Sequence, residues 1–138
     1  IMNRDEIKTI LPHREPMLLV DEAHVTGENE AEGRYHVKGD EWFLQGHFPG
    51  NPVVPGVVLC EIMAQTCSVI LADKVKGCTP YFSGLNNVKF KNPVKPGDTL
   101  ELKCRILKNK GPFYFAEGSG SVNGKLCVSG EFSFAVKA

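Results

Sequence analysis

The chain has 138 residues, and its 16 basic side chains balance its 16 acidic ones. That length suits one domain, residues 1–138, with a proper core, and the even charge excludes the strong basic excess of a nucleic-acid binder. No apolar run is long enough to span a bilayer, and five cysteines without paired C-x-x-C spacing argue against a disulfide framework and a zinc site.

Met2 is the expected native start, and the polar segment from Ile1 to Glu6 carries no secretory signal. The protein is therefore expected to be cytoplasmic with reduced thiols. Asn3 to Leu11 places Ile7, Ile10 and Leu11 at helical spacing, and Pro12 stops the run. Pro12 to Pro16 is a rigid turn. Met17 to Val25 and Ala31 to Val37 read as two strands around a turn at Thr26 to Asn29. Trp42, Phe43 and Leu44 form an apolar lead-in to the central loop.

That loop and the helix after it organise the chain. Gly46 to Gly56 holds three prolines and three glycines, so it is neither helix nor central strand but a fixed loop. From Pro55-Gly56 to Ala72 the chain is mostly apolar and free of further Gly or Pro, and it reads as one long helix. Glu61 and Gln65 are among its few polar residues and share a face, four apart. An acid there is costly to bury without a partner. Cys60 and Cys67 are core residues on this reading.

Lys74 to Thr79 reads as a loop with Gly77 as the helix stop. Four strands come next: Tyr81 to Phe90, Thr99 to Asn109, Phe113 to Val122, and Lys125 to Val136. Asn123-Gly124 between the last two is a strong hairpin signal. A helix apolar on nearly all faces must be buried around most of its girth. About six strands achieve that by curling as an antiparallel sheet around it. The expected class is α+β, with the hot-dog arrangement of sheet around central helix.

His47 in the fixed loop, Glu61 on the apolar helix and a free helix N-terminus at Gly56 are the parts of an acid–base site. His47 is a natural base. Glu61 serves as an acid if its apolar neighbours favour the protonated form. At Gly56 the backbone N–H groups lack internal partners and the helix dipole is positive. His13, His24 and His36 lack such company and read as structural.

Gly46-His47-Phe48-Pro49, Pro52, Pro55-Gly56-Val57, Glu61 and Met63-Ala64-Gln65 together resemble the FabZ-type 3-hydroxyacyl-[acyl-carrier-protein] dehydratases of type II fatty acid synthesis. Leu11-Pro12-His13-Arg14 with Leu18-Leu19-Val20-Asp21 is similar to that family's N-terminal segment. Val88-Lys89-Phe90 with Pro93 to Asp98 is similar to its strand and following turn. Glu15 departs from the pattern, since an aromatic is common there, and is expected to lie outside the site. Glu61 favours this family over the related dehydratase–isomerases, which carry Asp at that position.

The resemblance implies dehydration of (3R)-hydroxyacyl thioesters to trans-2-enoyl thioesters. The substrate rides on the phosphopantetheine arm of acyl carrier protein, and no metal or other cofactor is needed. It implies a homodimer, often a trimer of dimers, with each site shared between subunits. In it His47 is the base, Glu61 the acid, and Gly56 binds the thioester carbonyl. Val53 is the expected carbonyl partner of His47, and Gln65 a candidate to orient Glu61. Phe48, Tyr81 and Phe82 are candidates for the substrate tunnel. Lys89, Lys91 and Lys95 are candidates for docking an acidic carrier. Rival readings are a dehydratase that also isomerises the double bond, a hot-dog acyl-thioesterase, and a non-catalytic acyl-binding subunit.

Overall fold

The computed structural model describes residues 1–72 and 78–137. The expected loop from Lys74 and its stop at Gly77 lie outside the described residues. Helix α1 (Arg4–Lys8) opens on a capping box, in which Asn3 and Glu6 each bind the other's backbone N–H. It is shorter than the sequence suggests. Ile10 and Leu11 still hydrogen-bond back to Ile7, so the apolar side chains stay on one side.

Strands β1 (Glu22–Gly27), β2 (Glu30–His36), β3 (Thr79–Phe90), β4 (Thr99–Lys110), β5 (Phe113–Val122) and β6 (Lys125–Lys137) form one antiparallel sheet in the order β1-β2-β4-β5-β6-β3. Helix α2 (Gly56–Ser68) lies across it and continues as a 3-10 turn, Val69–Leu71. From Leu59 to Val69 every residue of this helix except Glu61 is buried. Strand β4 turns Leu100, Leu102, Cys104 and Ile106 inward and charged residues outward, the period of two that one buried face requires. This is the hot-dog arrangement that the chain's order of elements implies.

The hairpin at Asn123-Gly124 is as expected. Both residues have positive φ (51° and 80°), and Val122 pairs with Lys125 across the turn. All five cysteines are free thiols. Burial raises the Cys60 thiol, and Cys67 is raised well above its usual range by hydrogen bonding with Cys104 and by burial.

One expected strand is displaced. Met17 to Val20 is not in the sheet, and β1 begins only at Glu22. Leu18, Leu19 and Val20 are all buried, which a strand with one wet face does not allow. Their backbone is satisfied elsewhere. The Leu18 N–H donates to the Arg14 carbonyl and the Leu19 N–H to the side chain of Gln65.

The two sheet edges differ. Strand β1 is short and is closed by a backbone bridge from Met2 to Ala23. Strand β3 has 12 residues, and among the described residues no strand pairs with its outer edge. Tyr81, Phe82, Leu85 and Phe90 on it are all exposed.

Candidate active site

The loop before α2 is closed by its own backbone. The Val53 N–H donates to the His47 carbonyl at 2.9 Å, and Asn51 and Phe48 exchange backbone hydrogen bonds. The next residue, Val54, donates to Val94 and ties the loop to the turn before β4. The His47–Phe48 peptide bond is cis, and the Phe48 ring stacks on the imidazole with centroids 4.3 Å apart. His47 Nδ1 lies 3.1 Å from the Val53 carbonyl oxygen, the partner expected from the sequence. A carbonyl only accepts, so Nδ1 carries the proton and Nε2 keeps its lone pair.

His47 opens onto a broad cavity of about 620 Å³. Val53, Gly56, Val57, Phe90 and Lys91 share its wall. Gly56 begins α2 after Pro55, whose carbonyl takes the Val58 and Leu59 N–H groups. A Cβ at Gly56 would meet the tip of the Phe90 ring at 2.8 Å. The aromatic ring thus rests against the helix start, where a side chain on residue 56 would push it away.

Glu61 is one helical turn and a half further on, and it opens onto a different cavity. That space is narrow, about 20 Å³, room for roughly one water. Its wall includes His13, Glu61, Gln65, Tyr81 and Phe82. Gln65 is 1 % exposed, and its amide is well used. Its Nε2 donates to Glu61 Oε2 at 2.9 Å and to the Met17 carbonyl at 2.8 Å, while Oε1 accepts from the Leu19 N–H at 2.8 Å. Gln65 therefore fastens Glu61 to the Met17–Leu19 segment.

His13 is placed otherwise than its sequence context suggests. Its Nε2 lies 3.4 Å from Glu61 Oε2. The sequence signal was its place in the Leu11-Pro12-His13-Arg14 segment, but 48 residues separate it from Glu61 and no periodicity connects them. Phe48, the third tunnel candidate, is on the His47 side rather than with Tyr81 and Phe82.

The three candidate docking lysines are exposed but do not form one patch. Lys91 is at the mouth of the His47 cavity. Lys89 faces a trough of about 700 Å³ across the outer sheet, where Lys103 and Arg105 meet Glu30, Glu117 and Glu131. From Lys89 the pairing with β6 runs in regular register through Phe90, and the Lys91 N–H donates to the Cys127 carbonyl. Neither His47 nor Glu61 lines that trough.

Residues 11–131 match the FabA-like domain family. A 3-hydroxyacyl-[acyl-carrier-protein] dehydratase FabZ of Clostridium perfringens (strain SM101 / Type A) is 45 % identical over 138 residues, covering 99 % of each chain. The protein of the same name from Caldicellulosiruptor bescii is 44 % identical, covering 98 % of this chain and 99 % of its own. Among solved structures, the dehydratase heterocomplex ApeI:P of Xenorhabdus doucetiae superposes with a TM-score of 0.81 at 22 % identity, over 96 % of this chain and 91 % of that one. That last likeness supports the fold alone.

Proposed function

Since the chain belongs to the FabA-like family and, within it, to the 3-hydroxyacyl-[acyl-carrier-protein] dehydratases, we propose that it removes water from (3R)-hydroxyacyl thioesters on acyl carrier protein, giving trans-2-enoyl thioesters. It is a hydro-lyase of fatty acid synthesis. Residues 1–138 work as one domain, and the cytoplasm is its place of action. No helix among the described residues is long and apolar enough to cross a membrane.

The bonds changed in this reaction suit two side chains. His47 Nε2 takes the proton from the α-carbon. The electron pair of that C–H bond forms the new double bond as the β-carbon–oxygen bond breaks. Glu61 gives its proton to the departing hydroxyl, which leaves as water. Negative charge grows on the thioester oxygen meanwhile, and the N–H at Gly56 is the donor for it. Such a donor in a dry site is worth about 3–4 kcal/mol of barrier. No electrons are lost or gained overall, so the step calls for no redox cofactor.

The observation that carries this reading is the division between two cavities. His47 and Gly56 line one, and Glu61 lines the other. A second copy set against the bare β3 edge would bring one chain's His47 to the other's Glu61. The exposed Tyr81, Phe82 and Phe90 on that edge favour such a pairing. A homodimer is the proposed unit, and a trimer of dimers a further assembly of it. Tyr81 and Phe82 would then border the acyl tunnel, and Lys91 and Lys95 would receive the acidic carrier.

The test is an assay on 3-hydroxyacyl carrier proteins of several chain lengths. Formation of trans-2-enoyl product is expected. Release of free carrier thiol without enoyl product would support a thioesterase instead, and cis-3-enoyl product would add isomerisation.

A further inference from the structure

The turn between α1 and the buried Leu18–Leu19 pair is held more firmly than a connection needs. The Arg14 guanidinium donates to three carbonyls, those of Lys8, Leu11 and His13. Glu15 pairs with both Arg4 and Lys8 of α1. Arg4 in turn reaches Asp21 and the Leu18 carbonyl. His13 lies within this braced turn, its backbone carbonyl held by Arg14.

His13 and Glu61 are both mostly shielded, 18 % and 24 % exposed at the side chain. The two imidazole nitrogens differ. Nδ1 is buried with no hydrogen-bond partner among the described residues. A proton placed there would lack an acceptor, which is costly. The ring proton therefore belongs on Nε2, which faces Glu61 Oε2 at 3.4 Å. That is looser than a hydrogen bond. Gln65 Nε2 approaches the same oxygen at 2.9 Å. Among the described residues no hydrogen bond involves Oε1.

We propose that His13 is a positioning residue for Glu61, acting with Gln65 to hold Oε2 and so leave Oε1 as the oxygen that carries the transferable proton. This rests on the reading of Glu61 as the acid. Two donors on one carboxyl oxygen exclude a proton from it. When the Oε1–H bond breaks, its proton joins the departing hydroxyl and water leaves. The electron pair stays on the carboxylate, whose negative charge then spreads to Oε2, where the Gln65 N–H already points and the His13 ring lies 3.4 Å away. Preset donors of this kind need no reorganisation as charge develops.

The experiment compares wild type, His13→Ala and His13→Gln in the dehydration assay, with melting temperatures measured in parallel. A hydrogen bond to a charged group has an effect of about tenfold or more. His13→Ala is expected to lower kcat about tenfold with KM within about twofold. His13→Gln can present an N–H near the place of Nε2 and should return kcat to within about threefold of wild type. If the alanine variant does not fold, His13→Asn takes its place, because its shorter amide fills the turn without reaching Oε2. Wild-type kcat in His13→Ala or His13→Asn overturns the proposal. So does His13→Gln as slow as those variants, or a loss confined to KM. A wild-type chain that does not dehydrate the substrate overturns the reading of Glu61 itself, whatever these variants do.

Discussion

The Nδ1 atom of His47 lies 3.1 Å from the carbonyl oxygen of Val53, at the far side of the same short loop. The backbone returns the contact, for the Val53 N–H donates to the His47 carbonyl at 2.9 Å. Pro52 and Pro55 on either side restrict the chain to this course. The ring is thus fixed in tautomer and direction before any substrate arrives, with Nε2 free to accept a proton.

His47→Ala removes that acceptor and nothing on which the core depends. Turnover is expected to fall by at least about 10²-fold, the scale of general acid–base catalysis. The melting temperature should stay close to wild type. Near-normal turnover would remove His47 from the mechanism.

Glu61→Gln keeps the shape and the volume but has no acidic proton to give. The fold should persist and most of the turnover should go. Gln65 can still meet the new amide oxygen, so orientation is retained while the chemistry is lost. Equal rates for variant and wild type would make Glu61 a hydrogen-bonding anchor only.

Gln65→Leu has a different signature, because this side chain serves the fold as well as the site. Its loss would leave the Leu19 N–H and the Met17 carbonyl without their partners. Each buried unsatisfied group costs about 1–3 kcal/mol. A loss of roughly 2–5 kcal/mol in urea unfolding is expected, together with slower turnover. Undiminished stability would mean that water replaces the amide fully.

Glu15 gives a pH-dependent signature away from the chemistry. Hydrogen bonding from the Lys8 ammonium, with its own backbone N–H and Arg4 behind it, holds its carboxyl down to about 2 from the usual 4.5. A lowered folded value means that the unfolded chain takes up the proton first as pH falls. The contribution is therefore whole above about pH 4.5 and is lost progressively down to about pH 2. Because the pair is exposed, the effect is small. Glu15→Gln should melt about 1–3 °C below wild type at neutral pH, with the two curves meeting near pH 2. A constant gap across that range would assign the difference to packing.

Much of this was legible in the chain because each signal was local. The Pro/Gly loop, the apolar helix and Asn123-Gly124 state their geometry within a few residues, and the Val53 carbonyl follows from prolines beside it. What escaped was set by distant partners. Leu18 to Val20 resembles a strand in sequence because an unbroken apolar run suits a buried strand, whereas the Leu19 N–H goes to Gln65, 46 residues away. His13 reads as structural because its neighbour, Glu61, is far off in sequence.

The unit of activity is expected to be a dimer. Within one chain His47 and Glu61 line separate cavities, and β3 presents 12 residues of unpaired edge with aromatic side chains exposed. A long open edge is a liability that pairing removes. A two-fold axis there would form two equivalent sites, each taking His47 from one chain and Glu61 from the other. Two inactive variants should then rescue each other. In a dimer of His47→Ala with Glu61→Ala, one site receives both intact residues and the other receives neither. Mixing the two under conditions that exchange subunits should restore up to about one working site per mixed dimer, or roughly a quarter of wild-type activity when exchange is random and half the dimers are mixed. Native mass spectrometry would count the mixed dimers independently. Mixed dimers without recovered activity would put both residues in the same chain and end the shared-site model.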